Sequence, residues 1–209
     1  FAVVDPVKVI ITNYPEDKEE LVTAKNNPED ESTGTRELPF SRELYIEKDD
    51  FLEDPPKKFF RLSPGNEVRF KFAYYITCND VIKDDDGNIV ELHCSYDKET
   101  KGGRSSDGRK VKGTIHWVSA KHCFPAEVRL YDRLFSSISP DSETDYLDSI
   151  NTDSLEILTN CLVESDLQQL STDIPVQFER IGYFFKDSDS NRNSLIFNRT
   201  VALRDNWSK

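Results

Sequence analysis

The stretch "GRKVKGTIHWVSAKHCFPAEVRLYDRLF" (residues 108–135) decides how the chain is read. It packs Arg109, Lys110 and Lys112 into four positions and then alternates apolar with polar residues, with His116 and His122 on either side of Trp117. One reading is a metal site built from His116, His122 and Cys123. The other is a strand that carries positive charge to an anionic partner. A zinc site needs a fourth ligand and close, regular ligand spacing, and no Cys-x-x-Cys pair or matching carboxylate stands nearby. The alternation in "TIHWVS" is that of a strand, so no metal is expected and His116 and Trp117 are assigned to structure. A Cys123–His122 dyad fails too, because neighbours on a strand point to opposite faces.

Working outward, the same period of two recurs. "EVRFKF" sets Val68, Phe70 and Phe72 against Arg69 and Lys71, and "IVELHCSY" sets Val90, Leu92, Cys94 and Tyr96 against Glu91, His93 and Ser95. The preceding "DDDGN" is a hairpin turn signal. "AEVRLYDRLF" puts Val128, Leu130 and Leu134 opposite Arg129, Tyr131 and Arg133. Further strands are expected at 7–12, 43–47, 156–163, 176–185 and 194–203, the last two joined by the polar "KDSDSNRN". Only "DSLEIL" and "ESDLQQLS" offer short helices. The expected fold class is all-β, as two small β-barrels. Paired prolines in "EDPPKK" (53–58) and the acidic, Ser-rich stretch 136–153 suggest boundaries, since prolines cannot join a sheet ladder. One barrel is then expected from 1–56 plus 136–209, with a second, 57–135, inserted into it.

The totals narrow the function. With 209 residues, 36% hydrophobic content, 13 Phe, 8 Tyr and 2 Trp, the chain has enough apolar material for a folded core. No apolar run approaches the ~20 residues that span a bilayer, and Asp5 and Pro6 interrupt the opening "FAVVDPVKVIIT", so a cytoplasmic, membrane-free protein is expected. A chain that begins with Phe and has no Met is expected to be a piece of something longer. Cys78, Cys94, Cys123 and Cys161 are scattered as small hydrophobes rather than staples. The glycosylation patterns at Asn198 and Asn206 are expected to be accidental, since the opening stretch does not read as an export signal. No glycine-rich phosphate loop or distinctive carboxylate pair marks an active site, and a catalytic centre within the chain is not expected.

Net charge is −12, which argues against phosphate partners until placement is considered. Residues 57–71 carry Lys57, Lys58, Arg61, Arg69 and Lys71 against Glu67 alone, and 101–112 carry Lys101, Arg104, Arg109, Lys110 and Lys112 against Asp107. Two basic stripes on an acidic body suit either an anion site or plain solvated loops. "KKFFR" (57–61) and "RLYDR" (129–133) mix cations with rings on which unpaired bases stack. On these grounds an RNA-binding module and a protein-interaction β module stand level.

"DGRKVKGTIHWVSAKHCFPAEVRLYDRLF" closely resembles the C-terminal anticodon-binding region of glutaminyl-tRNA synthetases, as do "FAVVDPVKVIITNYP", "RLSPGNEVRFKFAYYI", "QFERIGYFF" and "FNRTVALRDNW", in family order over nearly the whole chain. The resemblance implies two barrels related to the ribosomal protein L25 fold. It also implies a class I aminoacyl-tRNA synthetase that uses ATP to join glutamine to its tRNA, whose nucleotide-binding signatures are absent from this chain, and the tRNA(Gln) anticodon stem-loop as partner of a monomer. No cofactor is implied for the chain itself. By motif, Arg61 in "FFRL" matches an arginine that reads the third anticodon base, a guanine, Arg69 one near the first base, and Gln177 in "QFER" a glutamine on the central uracil. Arg180 lies in the same motif. Lys71 stands where relatives often carry a second arginine near the first base, Phe60 where a lysine occurs, and Glu29 where some carry an asparagine. Lys57, Lys58, Arg109, Lys110 and Lys112 are assigned to the tRNA backbone. The rivals are a glutamyl enzyme of archaeal and eukaryotic type, an L25-like ribosomal RNA binder, and the protein-interaction module.

Overall fold

A computed structural model describes residues 1–103, 105–142 and 145–203. Arg104 and the end of the "FNRTVALRDNW" motif, with Asn206, lie outside the described residues. The described chain is all-β, with six short 3-10 turns as its only helical elements and no helix long and apolar enough to cross a membrane. It divides into two compact units, residues 1–124 with 162–168, and residues 125–161 with 169–209.

The first unit holds β1 (Ala2–Val3), β2 (Pro6–Ile11), β3 (Glu20–Lys25), β4 (Thr35–Phe40), β5 (Glu43–Glu47), β6 (Glu67–Phe70), β7 (Tyr75–Lys83), β8 (Ile89–Asp97), β9 (Thr114–Ile115) and β10 (Val118–Ser119). Seven of these form one sheet in the order β10-β5-β2-β8-β7-β6-β9. Its two outer strands, β9 and β10, are separated in sequence only by His116 and Trp117. The "TIHWVS" stretch is therefore two pieces of strand that bring the edges of the sheet together, and a sheet held at both edges this way curls toward a barrel. Trp117 fills the seam: it is buried, stands edge-on to Phe40 at 5.2 Å, and its indole N–H donates to the Lys71 carbonyl at 3.1 Å. His116 is buried beside it, with Nε2 2.8 Å from the Ala2 carbonyl oxygen.

Period two fills the inside with Val7, Val9, Ile11, Leu44, Ile46, Val68, Phe70, Ile76, Leu92 and Cys94. Two residues assigned inward depart from this. Phe72 lies past the end of β6 at φ 67° and is only partly buried. Val90 is 47% exposed, near the start of β8 and outside the stretch, from Glu91 to Cys94, that pairs with β2. The "DDDGN" turn forms as expected: Asp84 accepts from the backbone N–H groups of Asp86 and Asn88, and Gly87 takes φ 83°. The β3–β4 hairpin was not foreseen. It covers the barrel with Val22, Ala24, Leu38 and Phe40. Glu20 pins its base, accepting from Tyr74 at 2.6 Å and Tyr14 at 2.9 Å and pairing with Lys101 at 2.5 Å. Burial pushes the Glu20 carboxyl up, but these three partners outweigh it and hold it down to about 2.

The second unit holds all but the first residue of β11 (Phe124–Tyr131), most of β12 (Leu155–Val163), β13 (Val176–Phe178), β14 (Gly182–Lys186) and β15 (Leu195–Ala202), in the order β12-β11-β15-β14-β13. The last two residues of β12 belong to the first unit, where they pair with β1. Phe178 and Phe184 stack at 4.2 Å, and Phe197 meets Phe178 edge-on at 5.1 Å, forming the centre of its core. The segment 176–185, expected as one strand, is a hairpin: β13 turns into β14 through Arg180 at φ 66°. "DSLEIL" runs into β12 rather than forming a helix, while "ESDLQQ" does form a 3-10 turn, Ser165–Gln169.

The domain division differs from the expected 1–56 plus 136–209 around 57–135. Strands on both sides of the paired prolines share one sheet, with β2 parallel to β8 in the register Lys8↔Glu91. Pro55 and Pro56 break the ladder inside an exposed loop of one barrel, and proline acts there as it does between domains. The acidic stretch 136–153 is likewise a loop within the second unit, closed by Ser136 N–H donating to the Ser149 carbonyl.

Candidate nucleic-acid interface

Two sequence-distant loops of the first unit come together. Gly113 passes so close to the 57–61 loop that a Cβ built on it would lie 2.2 Å from the Phe60 carbonyl oxygen. Only glycine permits that approach. Its carbonyl accepts from Arg69 N–H at 2.8 Å as β9 joins β6. Beside this crossing the Lys112 ammonium lies over the Phe60 ring, 5.1 Å from its centroid. Lys57, Lys58, Phe60, Lys110 and Lys112 are exposed and Arg61 partly so. The two basic stripes thus meet in one patch that mixes cations with an exposed ring.

Arg61 is oriented from beneath. Its Nη1 donates to the Asp49 carbonyl at 2.9 Å and lies 3.2 Å from Asp50 Oδ1, on a carboxylate that is fully buried. A buried carboxylate left without cations is strongly unfavourable, so Asp50 holds the guanidinium in place. Both contacts use one nitrogen, and 41% of the Arg61 side chain stays exposed. A guanidinium fixed at one corner still presents a planar donor edge, the geometry that suits the acceptors of guanine. Nothing in the sequence singled out Asp50.

Arg69 and Lys71 are less open. Arg69 packs along Gly103, donates from Nη2 to the Tyr75 hydroxyl at 3.2 Å and lies 5.4 Å from that ring's centroid. Its buried Nε has no partner among the described residues. Lys71 lies over Phe72 at 5.6 Å, and its main chain is tied to Ile115 and Trp117.

Arg109, expected on the phosphate backbone, is committed elsewhere. Nε and Nη2 clamp Glu67 at 2.9 Å each, Nη2 reaches Asp97 at 2.5 Å, and Nη1 reaches Asp107 at 2.6 Å. These hydrogen bonds raise its pKa further. A guanidinium shared by three carboxylates fastens the 101–112 loop to β6 and β8, and its charge is already neutralised. Arg129 is similarly engaged, with Glu127 at 2.6 Å and Asp187 at 3.5 Å, so the expected cationic face of β11 is largely compensated. Leu134, assigned to the greasy face, is exposed beyond the end of that strand.

In the second unit, Gln177 is exposed on β13 directly opposite Tyr183 of β14, and Arg180 occupies the turn between them. Arg61, Arg69 and Lys71 therefore belong to one unit and Gln177 and Arg180 to the other. Among the described residues no group of three potential ligands is placed to hold a metal ion. His122 instead pairs with Glu19 at 2.8 Å, and Cys123 donates to the Ala120 carbonyl at 3.6 Å.

Two family models match, both described as the anticodon-binding domain of class I tRNA synthetases (E and Q), over residues 1–97 and 114–187. The glutamine–tRNA ligase of Nitrobacter hamburgensis is 55% identical over 208 residues, that of Rhodopirellula baltica 54% over 211, and that of Clostridium kluyveri 50% over 209. Each alignment takes in 99–100% of this chain but only 35–37% of the relative, so the chain spans little more than a third of the proteins it matches. With both matched segments carrying the same description and together taking in most of the sequence, the chain belongs to the anticodon-binding domains of the class I tRNA synthetases (E and Q).

Proposed function

We propose that this chain is the anticodon-reading part of a cytoplasmic, monomeric glutamine–tRNA ligase. In that reading the full protein joins glutamine to tRNA(Gln) with ATP, through a catalytic domain outside this sequence. The observation that carries it is the patch where the 57–61 and 101–113 loops meet, found in a chain about half identical to proteins named glutamine–tRNA ligase. Arg61, oriented by Asp50, reads the guanine at the third anticodon position. Arg69 and Lys71 act near the first base, and Gln177 with Arg180 at the central uracil, where an amide both donates and accepts. Lys57, Lys58, Lys110 and Lys112 contact the phosphate backbone. The family description also admits glutamyl enzymes, and the names of the similar proteins favour glutamine.

The test uses stem-loop RNAs with seven-nucleotide loops that differ only at the third anticodon base. Arg61→Ala is expected to lower discrimination between guanine and adenine there by ~1–3 kcal/mol, measured by fluorescence anisotropy. Equal weakening for every anticodon would remove Arg61 as a base reader.

A further inference from the structure

The Phe60 ring is the apolar feature of a patch otherwise built from cations. Large apolar side chains at a loop tip lose little by being replaced with polar ones, yet this ring is 50% exposed in the middle of a cationic surface. It is also held. The Gly113 main chain abuts its carbonyl, and Lys112 lies over its ring at 5.1 Å. The next residue is Arg61, whose guanidinium is fixed by Asp49 and Asp50. A fixed ring with an ammonium on one face has its other face to offer, and the cation draws π-electron density away from that face. Such a face repels the π cloud of a nucleobase less than a bare phenyl ring does, so it stacks better.

We infer that Phe60, backed by Lys112, is a stacking platform for one unpaired base of the bound RNA loop, at or next to the nucleotide whose edge Arg61 contacts. The inference rests on the anticodon-binding reading and adds a residue that grips the face of a base while its neighbour reads the edge. The occupant is a nucleobase rather than an apolar protein segment, because Lys112 lies over the ring, Arg61 is the next residue, and the exposed Lys57, Lys58 and Lys110 belong to the same two loops, all of them cations that complement phosphates. Stacking of this kind tolerates any base, so Phe60 contributes affinity and Arg61 contributes choice.

The experiment places 2-aminopurine, in separate RNAs, at the third anticodon position and at the following nucleotide of the stem-loop, and follows its fluorescence as the protein is added. The unmodified protein is expected to quench one of the two probes. Phe60→Leu, which keeps an apolar side chain and removes the ring, should abolish that quenching and weaken binding by about 5-fold to 100-fold. Phe60→Trp should keep both, and Lys112→Met should keep part of the quenching while losing affinity. Circular dichroism checks that each variant folds, which is expected for an exposed position. Quenching and affinity unchanged in Phe60→Leu would overturn the platform and leave the anticodon reading standing. Failure of the unmodified protein to bind any stem-loop at low salt would overturn both.

Discussion

The loops at 57–61 and 101–112 both bring cations to the place where Phe60 meets Gly113, and they use them in opposite ways. In the first, Lys57 and Lys58 stand exposed, and Arg61 is held at one corner by a buried carboxylate that leaves much of it open. In the second, Arg109 is surrounded by Glu67, Asp97 and Asp107, Lys101 is paired with Glu20, and among the described residues Lys110 and Lys112 are the exposed cations without a carboxylate partner. One arginine has one carboxylate beneath it and presents its free edge outward, whereas the other has three and is spent on holding the loop. Availability of positive charge is therefore set by how many acids the fold gathers around each cation. A charge count cannot register that difference.

The largest effect should come from forcing the two loops apart. Gly113→Ala puts a methyl group 2.2 Å from the Phe60 carbonyl oxygen and 3.1 Å from Val68 Cγ1, so the main chain of one loop must move. Overpacking of this kind costs ~1–3 kcal/mol, and chemical denaturation should show it as a lower midpoint. RNA binding should weaken as well, because Phe60 and Lys112 no longer meet. Unaltered stability would mean that the crossing is loose and that the two loops are independent.

Much of the first barrel was legible because its inside positions alternate: Val68 with Phe70 and Leu92 with Cys94 are apolar at every second position and buried. The β3–β4 hairpin was not, since Leu21 points out and Pro39 stands opposite it in the ladder, so the pattern there is blurred by an exposed apolar residue and a residue that strands usually avoid. The β13–β14 turn was missed for a related reason. It uses Arg180 at positive φ, where glycine or asparagine would have announced it. Arg61 was legible as a type of residue in a motif. Its orientation was not, because Asp50 lies eleven positions away on a different turn, and the acids around Arg109 come from positions 67, 97 and 107.

The next effect sharpens the contrast through pH. The Asp107 carboxyl is held down to about 2, first by the Arg109 backbone N–H and then by its guanidinium, and Asp97 is held below its ordinary value chiefly by hydrogen bonding from Arg109. Carboxyls depressed in the folded state add stability above their unfolded pKa, near 4, and lose it as pH falls toward the folded value. Arg109→Ala should therefore melt at a lower temperature than the unmodified protein at neutral pH, with the gap closing between about pH 4 and pH 2. A gap that persists unchanged at low pH would show that Arg109 stabilises the loop by packing on Tyr75, whose ring centroid it approaches to 5.3 Å, rather than through its acids.

The smallest effect separates the two neighbours Arg109 and Lys110 directly. If Lys110 faces a phosphate, Lys110→Ala removes one neutralised charge, and the slope of log affinity against log salt should become shallower by about 0.7–0.9, with all anticodon variants weakened alike. Arg109→Ala should leave that slope unchanged at neutral pH, since its charge is already balanced inside the protein and no counterion release depends on it. The measurement is a salt titration of stem-loop binding by both variants. A slope that falls equally in both would mean that Arg109 leaves its carboxylates when RNA arrives, and the difference between the two loops would then vanish in the complex. A slope that falls only for Lys110 would tie RNA affinity in this loop to cations that the acidic residues leave uncovered.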